Sequence, residues 1–267
     1  MIFNLCKRKT QKNLFVTSHQ IWQQMVLTID IGNTRVKGAV FEDNAVIEQF
    51  AASYIDWKNK VSELLGKYPK IANMVVASVG IDFAADLSGL KSRLKVYQIS
   101  HETRFPFENK YATPNTLGID RMVLAAGSVI SFPKQHRLVI DAGTCITYDF
   151  VDVDDNYLGG AISPGIRLRY ESLHNYTARL PLLPTEVPTD IIGNSTSMAI
   201  HSGIVNGIAN EIDGFIDAYK KRYSNFIIIL TGGDAVFLAK QLKNTIFANP
   251  NFLLESLNRT FQYILND

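Results

Sequence analysis

The sequence predicts an α/β protein made of two similar halves, and three observations lead there. Apolar runs with strand character alternate with amphipathic stretches of helical period. One pattern, an apolar strand ending in Asp-x-Gly and followed by a second strand, occurs at Leu27–Phe41 and returns at Leu138–Val151. The 267 residues are 46% hydrophobic, 10% aromatic and 19% charged. That is the make-up of a folded chain large enough for one big domain or two of about 100–150 residues each.

Taken in order, V-L-T-I-D from Val26 is continuously apolar up to Asp30, as expected of a strand buried on both faces. Gly32 and Asn33 turn the chain, and R-V-K-G-A-V-F and A-V-I-E-Q-F continue it as a meander. Ile55–Tyr68 has helical spacing, Met74–Val79 reads as another buried strand and Leu94–Ile99 as a further one. A loop rich in Pro and Asn, Phe105–Asn115, precedes a helix over Thr116–Phe132, where Ala125, Ala126 and Gly127 allow close packing.

The second copy pairs Asp30 with Asp141, Gly32 with Gly143 and Asn33 with Thr144. Its period is too long for a solenoid, so the reading is two facing halves, 25–135 and 136–267, whose Asp-x-Gly turns meet at a cleft. Gly159–Gly165 is expected to be a glycine-rich turn. Asn194–Lys221 is expected to be a helix, with Ile200, Ile204, Ile208, Ile212 and Ile216 as a stripe facing core or a second subunit. Phe226–Leu230 is a buried strand ending in Thr231-Gly232-Gly233-Asp234, and Leu253–Leu265 is a closing helix.

The formal net charge of +2 belongs to the first residues. Positions 1–24 carry Lys7, Arg8, Lys9 and Lys12 and no acidic residue, so the remainder is slightly acidic and gives no case for nucleic-acid binding. That extension lacks a clean apolar segment and a small-residue cleavage site, so it fits a secretory signal poorly, and Met25 is read as the start of the working chain, the alternative being a loose tail. No run approaches the ~20 apolar residues of a membrane helix. Cys6 and Cys145 form no CxxC pair, and the five histidines show no ligand spacing, so zinc is not expected. Cys145 is read as a small packing residue. The expected setting is the cytoplasm.

Strand–Asp-x-Gly–strand has a chemical use. Glycine lets backbone amides approach a phosphate with no Cβ in the way, and the aspartate holds a cation beside it. A single copy is an ordinary turn, whereas two copies ending apolar strands point to a polyphosphate. Lys37 can neutralise further phosphate charge. Thr231-Gly232-Gly233 follows a strand and suits the close approach of a nucleobase or ribose, although such a turn is equally a structural one.

D-I-G-N-T-R-V-K, L-G-I-D-R, D-A-G-T-C-I-T, G-G-A-I-S-P-G and T-G-G-D, in this order and spacing, resemble the type III pantothenate kinase family of the actin, Hsp70 and sugar-kinase superfamily. The resemblance runs from Met25 to near the C-terminus, and L-G-I-D-R beside Tyr111-x-x-Pro114 is its most specific part. It implies two ribonuclease-H-like domains with ATP between them, and phosphorylation of pantothenate to 4′-phosphopantothenate, the first step towards coenzyme A. It places ATP on Asp30, Ile31, Gly32, Asn33, Thr34, Arg35, Val36, Lys37 and Thr144. It places pantothenate on Tyr111, Gly118, Ile119, Asp120, Arg121 and Thr196, with Asp120 as catalytic base. It implies Mg²⁺ with ATP, a monovalent cation (K⁺ or NH₄⁺) at Asp141, and a homodimer.

The chemistry of these residues agrees. Phosphoryl transfer depends on positioning and charge stabilisation, with an acidic residue to orient the hydroxyl. Arg121 offers a fork to a carboxylate or to the transferring phosphoryl group, or else pairs with Asp120 at a helix end. Two rival readings share the phosphate turns: a kinase for another hydroxylated acid or sugar, and a nucleotide-binding regulator without catalysis. Intact Asp30, Asp120 and Asp141 count against the regulator.

Overall fold

The computed structural model describes residues 25–32, 34–78 and 93–266. The extension over 1–24, Asn33 and the final Val79 of the expected fourth strand lie outside them. Two mixed sheets form the frame. The first contains β1 (Met25–Ile31), β2 (Val36–Glu42), β3 (Ala45–Ala52), β4 (Ile71–Ser78) and β5 (Lys95–Gln98), in the order β3-β2-β1-β4-β5. The second contains β6 (Glu108–Asn109), β7 (His136–Ala142), β8 (Cys145–Val151), β9 (Asn156–Pro164), β10 (Phe226–Thr231) and β11 (Phe247–Ala248), in the order β11-β10-β7-β8-β9-β6. In each sheet three consecutive strands form an antiparallel meander, and the later strands add in parallel beside the first strand of that meander. The sequence repeat is therefore a repeat of topology, with β1 and β7 as equivalent central strands.

Helices fill the layers around the sheets. The helix α1 (Trp57–Lys67) covers one face of the first sheet, where Trp57, Val61 and Leu64 join Leu27, Ile29 and Ile31 in one apolar cluster. Between the sheets lie α2 (Ile119–Ser131) and the C-terminal α7 (Phe252–Asn266), packed on each other. Met122, Val123 and Ala125 meet Leu254, Leu257 and Phe261 there, with Val26 and Val75 of the first sheet and Val151 and Tyr157 of the second. The far face of the second sheet carries α3 (Ile166–Asn175) and a long helical run. That run is α4 (Thr196–His201), a π turn (Ser202–Asn206) and α5 (Gly207–Arg222). A short α6 (Ala235–Ala239) follows β10.

The isoleucine stripe is core of a single subunit: Ile200, Ile204, Ile208, Ile212 and Ile216 are all buried against Leu138, Ile140, Tyr148 and Leu230. A four-residue step overshoots an α-helical turn by about 40°, so four steps would carry the stripe well round the helix. The wider π turn winds part of that drift back and keeps the stripe on the sheet.

One expectation needs correcting. Gly159–Gly165 is not a turn, because Asn156–Pro164 is the strand β9, paired with β8 throughout. Its glycines serve the sheet. Gly159 has a φ of 98° where the β8–β9 register shifts, and a Cβ on Gly160 would strike the backbone of Tyr148.

Candidate active site

Both Asp-x-Gly turns open onto one cavity of about 200 Å³. Its walls are Asp30, Gly32, Thr34, Arg35 and Lys37 from the first turn, and Asp141, Gly143, Thr144, Cys145 and Thr147 from the second; Asp120 and Leu253 complete it. The two turns touch, since the hydroxyls of Thr34 and Thr144 lie 3.1 Å apart. Each turn is closed by its own backbone, Gly32 N–H donating to Arg35 O at 3.2 Å and Gly143 N–H to Cys145 O at 2.9 Å. A Cβ on Gly143 would meet no atom within 4 Å, so the bare Cα faces the cavity.

The register sets the charges. Asp30 and Lys37 are cross-strand partners on β1 and β2, and Asp141 and Thr147 hold the equivalent positions on β7 and β8. Burial pushes the carboxyls of Asp30 and Asp141 up to about 7. For each, the negative charge of Asp120 adds to the rise and Lys37 opposes it. Asp120 and Asp234 are also raised, first by burial, with Arg121 and Lys37 respectively pulling down. Three of these carboxyls thus share the cavity wall with Lys37 and Arg35, and among the described residues none donates a hydrogen bond to the carboxylates of Asp30 or Asp141. Cations carried by a polyphosphate would offset the carboxylates of such a site.

Asp120 stands in the first turn of α2, behind Gly118 at the N-cap. Its Oδ1 accepts from the Arg121 backbone N–H at 2.8 Å. A side chain on Gly118 would collide with the Asp120 carboxylate, so glycine is what allows that orientation. The Arg121 side chain turns away from Asp120. Its Nε donates to Oδ1 of the fully buried Asp149 at 2.8 Å, Nη2 makes an ion-pair contact with the same oxygen at 2.7 Å, and its guanidinium lies 5.8 Å from the centre of the Tyr111 ring. The alternative of an Asp120–Arg121 side-chain pair at the helix end is not formed, and the arginine pairs with Asp149.

The other expected residues fall in different places. Ile31 and Val36 are buried in the core beneath the first turn and can offer a ligand backbone alone. Arg35 and Lys37 line the cavity. Tyr111 packs by Arg121 and Tyr157, one step behind the wall, and Ile119 is buried in the layer between the sheets. Thr196 is the exposed first residue of α4 and does not line the cavity. Cys145 is not a packing residue: it is exposed and forms part of the cavity wall, as the first residue of β8.

Gly232 is structurally obligatory, with a φ of 97° and the Ala142 carbonyl and Asp141 carboxylate where a Cβ would stand. A second depression, lined in part by Lys37, Gln49, Phe50, Gly232, Gly233 and Asn251, adjoins the cavity at Lys37. Asp149 and Tyr157 escaped the sequence reading, and Asp234 entered it only as the end of the T-G-G-D motif, with no role. An aspartate inside the alternating apolar strand Cys145–Val151 was the available signal for Asp149. Among the described residues no three His, Cys, Asp or Glu side chains form a metal-binding group, and no helix is long and apolar enough to cross a membrane.

Comparison with known proteins places the chain in a family. The family model for type III pantothenate kinase matches residues 26–218. A type III pantothenate kinase of Flavobacterium johnsoniae is 62% identical over 243 residues, covering 91% of this chain and 100% of the relative. That of Flavobacterium psychrophilum is 59% identical over 239 residues, covering 90% and 99%. Among solved structures, a Campylobacter jejuni protein described as a Baf family transcriptional activator superposes with a TM-score of 0.60 at 21% identity, over 90% of this chain and 100% of that one. Component A of (R)-2-hydroxyglutaryl-CoA dehydratase from Acidaminococcus fermentans gives 0.53 at 15% identity, over 91% and 99%, and both likenesses bear on the fold alone. On the family model and these identities, the chain belongs to the type III pantothenate kinase family.

Proposed function

We propose that Asp120 is the base, and the two Asp-x-Gly turns the phosphate cradle, for the transfer of the ATP γ-phosphoryl group to the hydroxyl of pantothenate. The observation that carries this reading is convergence: two turns far apart in sequence meet through Thr34 and Thr144, and the Asp120 carboxylate lines the same cavity. In the transfer the hydroxyl oxygen bonds to the γ-phosphorus as the bond to the bridging oxygen of ADP breaks, and the hydroxyl proton passes to Asp120. The raised carboxyl of Asp120 makes it a better proton acceptor than a solvent-exposed aspartate.

Asp30 and Asp141 fit hard cations, being buried oxygen donors with no hydrogen-bond donor on them among the described residues. They would hold Mg²⁺ carried by the nucleotide and, at Asp141, a monovalent cation. Such ions supply charge neutralisation on the phosphates. Backbone amides of the turns and Thr34, Thr144 and Lys37 would hold the phosphate oxygens, and the depression at Gly232 and Gly233 would take the nucleoside. The Tyr111 and Arg121 side of Asp120 is left for pantothenate, with Thr196 as a further contact.

The same reading divides the chain into working halves over 25–135 and 136–267 and makes it a cytoplasmic homodimer. Supporting a dimer, Ile162, Tyr176, Ile191 and Ile192 are exposed, and side chains on Gly203, Gly207 and Gly214 would meet no atom within 4 Å. The test of the chemistry is Asp120→Asn. Its kcat is expected to fall by ~10²–10⁴ with ATP affinity and Tm retained, a fall set by losing a general base. Near-normal turnover in that variant would remove Asp120 from the mechanism.

A further inference from the structure

Resting on that reading, the structure assigns a role to a residue outside the cavity: we propose that Asp149 is a positioning residue, which fixes the Arg121 guanidinium so that its opposite edge receives the carboxylate of the acceptor. Asp149 is fully buried on β8 and gathers three hydrogen bonds and an ion-pair contact. Oδ1 accepts from Arg121 Nε at 2.8 Å and the Tyr157 hydroxyl at 2.6 Å, with Arg121 Nη2 in ion-pair contact at 2.7 Å, while Oδ2 accepts from the Thr147 hydroxyl at 3.0 Å.

An arginine beside a catalytic aspartate has an obvious competing partner in that aspartate. Here the Nε–Nη2 edge is taken by Asp149, and the Tyr111 ring lies against the guanidinium. Arg121 therefore spends its side-chain hydrogen bond on Asp149 and acts on Asp120 only through its backbone N–H and its charge, and it is held in one orientation before any acceptor arrives. Pre-ordering an arginine removes the cost of freezing it on binding, and a planar fork matches a carboxylate. Thr147 joins the two regions, since it lines the phosphate cavity and donates to Asp149. Tyr157 shares the arrangement, with its ring against Tyr111 and its hydroxyl on Asp149.

The experiment is steady-state kinetics of wild type, Asp149→Asn and Tyr157→Phe. The acceptors are pantothenate and an analogue whose carboxylate is replaced by a primary alcohol, and thermal unfolding is followed alongside. A charge-assisted contact is worth about 1.5–3 kcal/mol, roughly 10–100-fold. The KM of Asp149→Asn for pantothenate is expected to rise about 10-fold or more, while KM for ATP and KM for the uncharged analogue stay within about twofold of wild type. Tyr157→Phe keeps the ion pair and is expected to shift KM for pantothenate by about threefold in the same selective way.

An unchanged KM for pantothenate in a folded Asp149→Asn protein would overturn the assignment. So would a loss confined to kcat or to KM for ATP, which would place Arg121 on the phosphoryl group instead. If Asp149→Asn fails to fold, the selective shift in Tyr157→Phe decides. A wild-type protein inactive on pantothenate would overturn the functional reading and this assignment together, whereas an active wild type with an unselective variant overturns the assignment alone.

Discussion

Asp30 and Asp149 are both buried carboxylates, and the fold treats them differently. Asp149 receives Arg121, Tyr157 and Thr147, which oppose the rise caused by its burial. Asp30 has Lys37 across the strand but no hydrogen-bond donor among the described residues, and its carboxyl rises from the usual 3.8 to about 7. A carboxyl raised on folding makes the folded state the better proton binder, so its contribution to stability falls as pH climbs from about 4 towards 7. Above that range the nucleotide-free protein carries the full cost of a buried charge. Asp30→Asn is therefore expected to raise Tm at pH 8 by about 2–6 °C, on the order of 1–2 kcal/mol, and to abolish turnover. The gain should shrink at pH 5, where Asp30 is already protonated in the folded state. Thermal unfolding at the two pH values checks it; a lower Tm at pH 8 would mean that Asp30 is satisfied within the protein. A stable but inactive variant is the expected signature of a residue kept for its ligand.

Among the elements, α2 carries the chemistry and depends on α7 for its position. A Cβ on Gly127 would run into Ser256 of α7, including its backbone, so the two helices cross where glycine leaves room. Helix propensity favours alanine over glycine by about 1 kcal/mol, whereas overpacking a tight contact costs about 1–3 kcal/mol. Because the obstruction includes backbone, overpacking should win. Gly127→Ala is expected to lower Tm by several degrees and to reduce kcat by displacing the Asp120 end of α2. An unchanged Tm would show that the crossing relaxes freely. The small residues Ala125, Ala126 and Gly127 announced a close contact in the sequence, but nothing there named α7 as the partner. The strands were legible for the same kind of reason, since runs such as Met25–Ile31 and Phe226–Thr231 are apolar enough to need burial. The helix α3, with Arg167, Arg169 and Glu171 on its surface, lacked that signal, and β9 looked like a turn because its glycines serve a register shift and close strand packing. In the site, the Asp-x-Gly repeat was readable because it is local. The Arg121–Asp149 pair was not, because it joins a helix start to a strand interior and exists only once α2 lies on β8.

For the whole molecule, the repeated strand order matters more than either turn. Each sheet ends its central strand with an aspartate and a glycine, and the packing of α2 and α7 between the sheets brings those ends together. The direct link among the described residues of the two turns is the exposed contact of Thr34 with Thr144, and an exposed neutral hydrogen bond contributes only about 0.5–1.5 kcal/mol. Behind it, Asp120 and Asp141 both push the Asp30 carboxyl up, and Asp120 does the same to Asp141. Without a ligand, then, the two turns are weakly joined over a cavity crowded with carboxyls. Mg²⁺ with ATP reverses both conditions, because the cation offsets the carboxylates and the phosphates accept hydrogen bonds from both turns at once. Amide hydrogen exchange is the measurement that follows this. With Mg²⁺ and a non-hydrolysable ATP analogue, amides in 30–37 and 141–147 are expected to gain protection together, over the same concentration range. The analogue without Mg²⁺ should protect neither segment to that extent. Protection of one segment alone would mean that the nucleotide is held by a single half and that the repeat is architectural.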